Sequence, residues 1–355
     1  MNTYKLPFYI RFTIVAVCLV FTVIIMREAS PLLIPLFAGL LLAILLLPIA
    51  KFLERIHINR AVACIAAVFC FILSFITINY FLTAEISGFS KELPNINNKL
   101  QVLFATFQHW VTVKFNINDA QQSDYLSSSF KDIVNGISGF VSKLFISFGN
   151  MVIWILFVCI YAFFILYYRK MLVRFVMKLV EKDYPNEMPI IVSENKKVIM
   201  GYIVGLLAEF AIMLLLISSV LLLLGIKYAL LLAIIASIFN IIPYIGIYTA
   251  TVLAMLVTYA NSSSASAITV GIVLLSIHLV DGIILLPRIV GSRMKMNPFI
   301  TIVAVIAGDV VWGIPGMFLF IPFAAMLKII FENITSLEAW AILFGEEEKK
   351  RKDNN

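Results

Sequence analysis

Charge is scarce in this chain. Only 13% of its 355 residues are Asp, Glu, Lys or Arg, while 62% are hydrophobic and the mean hydropathy is +1.02. One water-soluble core cannot hide that much apolar surface, so an ordinary soluble globular class is excluded. Metal-binding and redox residues are thin as well. Cys18, Cys64, Cys70 and Cys159 all sit inside apolar runs with no C-x-x-C pair. His57, His109 and His278 are too scattered to make a metal site with them. No P-loop, G-x-S-x-G or H-E-x-x-H pattern is present, so neither an enzyme nor a cofactor is expected. The chain also lacks an A-x-A-like cleavage site after its first apolar run, Phe12 to Met26, and a second run begins at once at Pro31. That points to a first membrane helix rather than a cleaved signal peptide.

What the chain does have is apolar length. Runs at 12–26, 31–50, 61–83, 146–168, 201–224 and 267–287 are of the size that crosses a hydrocarbon core of roughly 30 Å. The expectation is an all-α polytopic membrane protein. The net charge of +7 then reads as cytoplasmic loops rich in Lys and Arg, not as a nucleic-acid surface. Lys51, Arg55 and Arg60 follow the second span. Arg169, Lys170, Arg174, Lys178, Lys182, Lys196 and Lys197 follow the fourth, and Arg288, Arg293 and Lys295 follow the run ending at Leu286. The tail adds Lys349, Lys350, Arg351 and Lys352. The positive-inside rule places these segments, and both termini, in the cytoplasm. In 84–145 lysines and acids balance, which suits the outside.

Two further runs, 228–260 and 298–330, would each be about 50 Å long as one helix, too long for a simple crossing. Both are interrupted. The first contains NIIPYIG (240–246), where Pro243 removes a backbone donor and Gly246 permits a turn. The second contains GDVVWGIPG (308–316), with Asp309, Gly313, Pro315 and Gly316. If each enters and returns on one side, the basic segments keep to one compartment. Both are therefore read as re-entrant or broken hairpins, giving about eight membrane segments. LAEFAI (207–212) and LVDGII (279–284) share a pattern, and at the same offset Pro243 falls on Pro315. The charge count makes the two span-plus-hairpin units an inverted repeat, a recurrent transporter plan.

The expected organisation is then 1–83, a scaffold of spans one to three; 84–145, an extracytoplasmic amphipathic helical segment; 146–168, span four. A cytoplasmic amphipathic segment follows at 169–199, then a transport core at 200–335 and a tail at 336–355. Within 95–113 an apolar stripe runs from Ile96 to Trp110, and 125–144 carries a second one. They suit the bilayer surface, the protein itself or packing between protomers. Residues 169–183 mix basic and apolar positions as an interfacial helix on anionic headgroups does.

Glu209, Asp281 and Asp309 fall deep within apolar runs, with no embedded lysine or arginine to neutralise them. Carboxylates in such places pair or face a cavity, and they commonly mark an ion or substrate path. The bland readings stand beside this. Asp281 could pair with Arg288, Glu209 could be satisfied by Ser218 or the 240–246 tip, and Asp309 could cap the returning arm of its hairpin. Asn240 offers a donor and an acceptor without charge, and His278 could relay protons or simply bond within its helix.

At PLLIPLFAGLLLAILLLPI (31–49), FNIIPYIG (239–246) and HLVDGIILLPRIVGSRMKMNPFITIVAVIAGDVVWGIPGMFLFIPFAAML (278–327), the chain resembles the autoinducer-2 exporter family, the PerM-like permeases. The resemblance implies a bacterial inner-membrane protein of roughly eight membrane segments that works as an oligomeric carrier. It also implies a small, polar, uncharged signalling furanone as one kind of cargo. Three functions follow as expectations. The first is a secondary exporter of a small polar metabolite, coupled to protons, that moves its span-hairpin units against the scaffold. The second is a sodium–proton antiporter. The third is a non-transporting membrane scaffold organised by its outer helices. The expected partners are the solute, a proton or sodium ion, the lipid bilayer and further copies of the chain.

Overall fold

The computed structural model of the chain describes residues 7–115, 153–179, 184–241, 246–291 and 294–345. Among them there is no strand, only an isolated bridge between Met296 and Gly345. Helices α1 (Phe8–Glu28), α2 (Ser30–Arg55), α3 (Arg60–Phe115), α4 (Ile153–Leu179) and α5 (Glu187–Leu223) come first. They are followed by α6 (Ala229–Asn240), α7 (Gly246–Asn261), α8 (Ser264–Val280), α9 (Pro298–Trp312), α10 (Ile314–Asn333) and α11 (Glu338–Phe344). Seven of the helical stretches are long and apolar enough to cross a membrane: α1 to α5, 264–285 and α10. The all-α polytopic class holds. The shorter apolar helices α6, α7 and α9 are below that length, as arms of broken segments are expected to be.

Three helices run beyond the apolar spans read from the sequence. Rather than ending with the third span near residue 83, α3 runs on through Pro94 to Phe115 as one helix. The stripe at 95–113 is thus the far end of the span helix. Likewise α4 carries residues 169–179 as its own continuation, and α5 begins at Glu187, well before the apolar run at 201. A helix need not stop where its hydrophobicity does. Backbone bonding inside an existing helix adds residues cheaply once the nucleus is formed. The stripe at 125–144, residues 180–183, Pro243 with its neighbours 242–245, and the basic tail from 346 lie outside the described residues.

The chain divides into two compact units. One comprises residues 1–68, 155–203 and 293–355; the other comprises 69–154 and 204–292. The core expected at 200–335 is therefore shared, with its first hairpin in the second unit and its second hairpin in the first.

In the first unit, close packing relies on small residues and ring contacts, as it must where lipid supplies no hydrophobic drive between helices. A side chain at Gly39 of α2 would meet Tyr161 Cβ at 2.7 Å and the Val158 carbonyl oxygen at 3.0 Å on α4. Arms α9 and α10 approach backbone to backbone at Gly308 and Gly316. Between these arms the chain turns at Gly313, whose φ of 61° favours glycine. Pro315 then occupies the first turn of α10, where its missing N–H leaves no bond unmade. Phe37 of α2 packs on Phe323 at 4.5 Å and on Trp312 at 5.7 Å, and Trp312 Nε1 donates to the Met26 carbonyl at 2.8 Å.

The second unit has one continuous apolar core. Leu82, Ile86 and Phe89 from α3 meet Met213, Ile217 and Leu221 from α5. Hairpin residues Leu231, Ala236, Ala254 and Val257 and α8 residues Val270 and Leu274 complete it. Along the outer faces large apolar side chains remain exposed, as on α1 from Phe8 to Ile25, which is the surface lipid would cover.

Candidate functional site

Four of the residues singled out from sequence meet in the second unit. Helix α6 ends at Asn240, and α8 gives way to π-helical turns at Asp281–Leu285 and Pro287–Gly291. The backbone N–H of Leu286 reaches the Asp281 carbonyl, a wider turn than the α-helical one. Such π turns widen a helix locally and are frequent where a side chain must be aimed at a site. Here the side chain so aimed is Asp281.

Asn240 is the hub. Its Nδ2 donates to Asp281 Oδ2 at 2.9 Å and, more weakly, to Glu209 Oε1 at 3.4 Å on α5. Its Oδ1 faces His278 Nδ1 at 3.1 Å. Because the amide donates to two carboxylates, its oxygen is left to accept from the imidazole, which selects the tautomer with a proton on Nδ1. Tyr248 of α7 sets its ring edge-on to His278, with centroids 6.2 Å apart. Glu209 and Asp281 are only 3% and 2% exposed. Their remaining oxygens, Glu209 Oε2 and Asp281 Oδ1, are buried without a hydrogen-bond partner among the described residues.

Two buried carboxylates with a single amide between them are under-compensated. Each unmade bond to a buried polar group costs about 1–3 kcal/mol, and more when the group is charged. The arrangement has the chemistry to take up a proton, a small cation or a hydroxylated solute at those free oxygens. Of the sequence alternatives for Glu209, Asn240, the first residue of 240–246, is its partner. Ser218 Oγ donates instead to the Leu215 carbonyl at 3.3 Å.

Sequence reasoning missed three buried hydroxyls in the same hairpin. Ser237 lies one helical turn before Asn240 on the same face of α6, and Thr251 and Thr258 lie on α7. All three are buried, and their hydroxyl oxygens have no partner among the described residues. Gly246 opens α7 and is buried.

The other singled-out residues belong to the first unit. Asp309 lies in α9, four residues before the turn, and its backbone carbonyl accepts the Gly313 N–H at 2.8 Å. It does not cap the returning arm, whose first turn has Gly313 as N-cap and no side-chain cap. The capping expectation fails because Asp309 is still inside the incoming helix. It is an exposed residue lining a cavity of about 750 Å³ together with Arg27, Glu28, Ser30, Trp312 and Gly313. A buried lysine on the returning arm is paired with its own acid and neutralises none of the three carboxylates. Lys328 on α10 is 8% exposed, and its ammonium meets Glu332 Oε1 at 3.0 Å. The i, i+4 spacing of the two was the signal that could have found it.

Comparison with known proteins gives the setting for this geometry. Residues 13–336 match the profile of the AI-2E family transporter. The chain belongs to the AI-2E transporter family. Among AI-2E relatives, the Bacillus subtilis (strain 168) protein named "Putative transport protein YueF" is 28% identical over 320 residues, covering 87% of this chain and 85% of that protein. A Borreliella burgdorferi protein named "Putative transport protein" is 24% identical over 324 residues, covering 88% and 84%. An Escherichia coli (strain K12) protein named "Putative transport protein YhhT" is 31% identical over a shorter stretch of 123 residues, 35% of each chain. Membership of the AI-2E family and the helical membrane architecture together make this chain a multi-pass membrane transporter.

Proposed function

We propose that the chain is a secondary exporter of a small polar metabolite, of the class to which autoinducer-2 belongs, coupled to protons at the Glu209–Asn240–Asp281 cluster. One observation carries this reading: two buried carboxylates converge on a single amide, and each keeps one oxygen without a partner among the described residues. A hydroxylated, uncharged solute can donate hydrogen bonds to those oxygens, and a proton can take its place when the solute leaves. His278, on the far side of Asn240, is the proton relay, and the hydroxyls of Ser237 and Thr251 add donors and acceptors along the hairpin. Family membership supports the transport function, and the name of the family supports the solute class.

In this reading the two hairpins, α6–α7 and α9–α10, are re-entrant from opposite leaflets. Gly246, Pro243 and the second tip at Asp309, Gly313, Pro315 and Gly316 then border the path. The protein sits in a bacterial inner membrane with both termini in the cytoplasm and works as a homo-oligomer.

A sodium–proton antiporter is the second reading, favoured by one feature. The free groups are all hard oxygens, carboxylate and hydroxyl, of the kind that binds hard cations. Reconstituted vesicles separate the cases. Asp281→Asn and Glu209→Gln are each expected to slow solute flux by roughly tenfold or more and to remove its dependence on a proton gradient. Wild-type flux in both variants at every pH would sink the coupling role. Proton flux driven by a sodium jump, with no organic solute present, would select the antiporter.

A further inference from the structure

A second polar concavity lies in the first unit, where three helices leave the apolar zone. The cavity, about 800 Å³, is lined by Lys51 of α2, by Arg169, Lys170, Arg174 and Lys178 of α4, and by Lys196 of α5. No acid is among the described residues that line it. Like charges brought together in this way repel unless something compensates them. Lys196 lies within electrostatic reach of both Lys51 and Arg169.

One acid does reach the edge of this cluster. Glu54 takes the Nη2 end of Arg169. The Nη1 end of the same guanidinium is buried and has no hydrogen-bond partner among the described residues. The planar fork is thus half used among the described residues, on a guanidinium that lines the cationic hollow. That is the donor geometry suited to a phosphate, with the lysines as point charges around it.

The position favours one source of phosphate. Leu47, Val173 and Met177 share the wall with the cations, so an apolar surface runs directly into the charged one. A molecule with a phosphate head and hydrocarbon tails matches both. We infer that this three-helix cavity binds a phosphate-bearing anion, the headgroup of an anionic phospholipid. The inference is independent of the carboxylate cluster. It assigns to the chain a discrete lipid site rather than diffuse contact of one basic helix with the membrane surface.

The test uses the full chain, purified in detergent and stripped of lipid, with phosphatidylglycerol and phosphatidylcholine offered in equal amounts. Native mass spectrometry should show the wild type retaining phosphatidylglycerol by roughly tenfold over phosphatidylcholine. The variant Lys51→Gln/Arg174→Gln/Lys196→Gln should lose that preference. Lys51→Arg/Lys196→Arg should keep it, which guards against a folding artefact in the first variant. A parallel thermal-shift measurement with inorganic pyrophosphate tells the sources apart. Protection of the wild type by pyrophosphate without any phosphatidylglycerol preference would support the anion site and assign it to a soluble phosphate. Equal phosphatidylglycerol retention in the wild type and the glutamine variant would overturn the proposal. So would a wild type that prefers neither anion.

Discussion

Asn240 holds two carboxylates with one side chain, and its replacement should be felt by both. Asn240→Ala leaves Glu209 and Asp281 facing each other with no shared donor, a loss of about 1–3 kcal/mol for each polar group left unmatched. Thermal denaturation in detergent should show a clear drop in midpoint. Adding Asp281→Asn to Asn240→Ala should restore part of it, because one of the two charges is then gone. Strictly additive effects in that double-mutant cycle would show that Asn240 and Asp281 are not energetically coupled. The residues of this cluster were visible in the sequence as isolated oddities. A carboxylate within an apolar run is conspicuous, and so is an Asn before Ile-Ile-Pro. Their convergence was not visible, because it depends on how α5, α6 and α8 pack. Ser237, Thr251 and Thr258 escaped notice for a different reason. Hydroxyls on apolar helices usually bond back to a carbonyl one turn earlier and so carry no signal in sequence.

For the helices, glycine separates positions that tolerate a side chain from those that do not. At Gly308 an added Cβ runs into the backbone of Gly316, which cannot move aside as a flexible side chain would. Gly308→Leu should therefore destabilise the protein by about 1–3 kcal/mol or more. Gly282, in the π-helical turn, has nothing within 4 Å of such a Cβ. Gly282→Ala should stay within about 0.5 kcal/mol of wild type. Comparable denaturation midpoints for the two variants would contradict the packing described here. The turn between α9 and α10 was legible, since Gly313 and Pro315 announce it, and Gly246 marks the start of α7. Lengths were not legible. The apolar run marks where α3 and α5 can lie in lipid, while the helix itself is set by local backbone bonding and extends past that limit at Phe115 and Glu187.

For the molecule as a whole, the proposal that the two hairpins enter from opposite leaflets makes a prediction about sidedness. Ser262, after the first hairpin, and Lys295, before the second, are both exposed to labelling reagents. In a background lacking Cys18, Cys64, Cys70 and Cys159, Ser262→Cys should react from outside intact cells and Lys295→Cys only after permeabilisation. Reaction of both from the same side would rule out entry from opposite leaflets. The polytopic class was legible from composition alone, because hydrocarbon thickness sets the length of the runs. The division into two compact units was not, since it cuts through α3 and α5 and regroups segments far apart in the chain. One detail of the first unit bears on how anything could pass. Gly308 and Gly316 touch just behind the bend at Gly313, so α9 and α10 are clamped together at the mouth. Tongs that are welded at the tips cannot pinch. If cargo passes this hairpin as proposed, it slides along the flank that carries Asp309 and not between the arms.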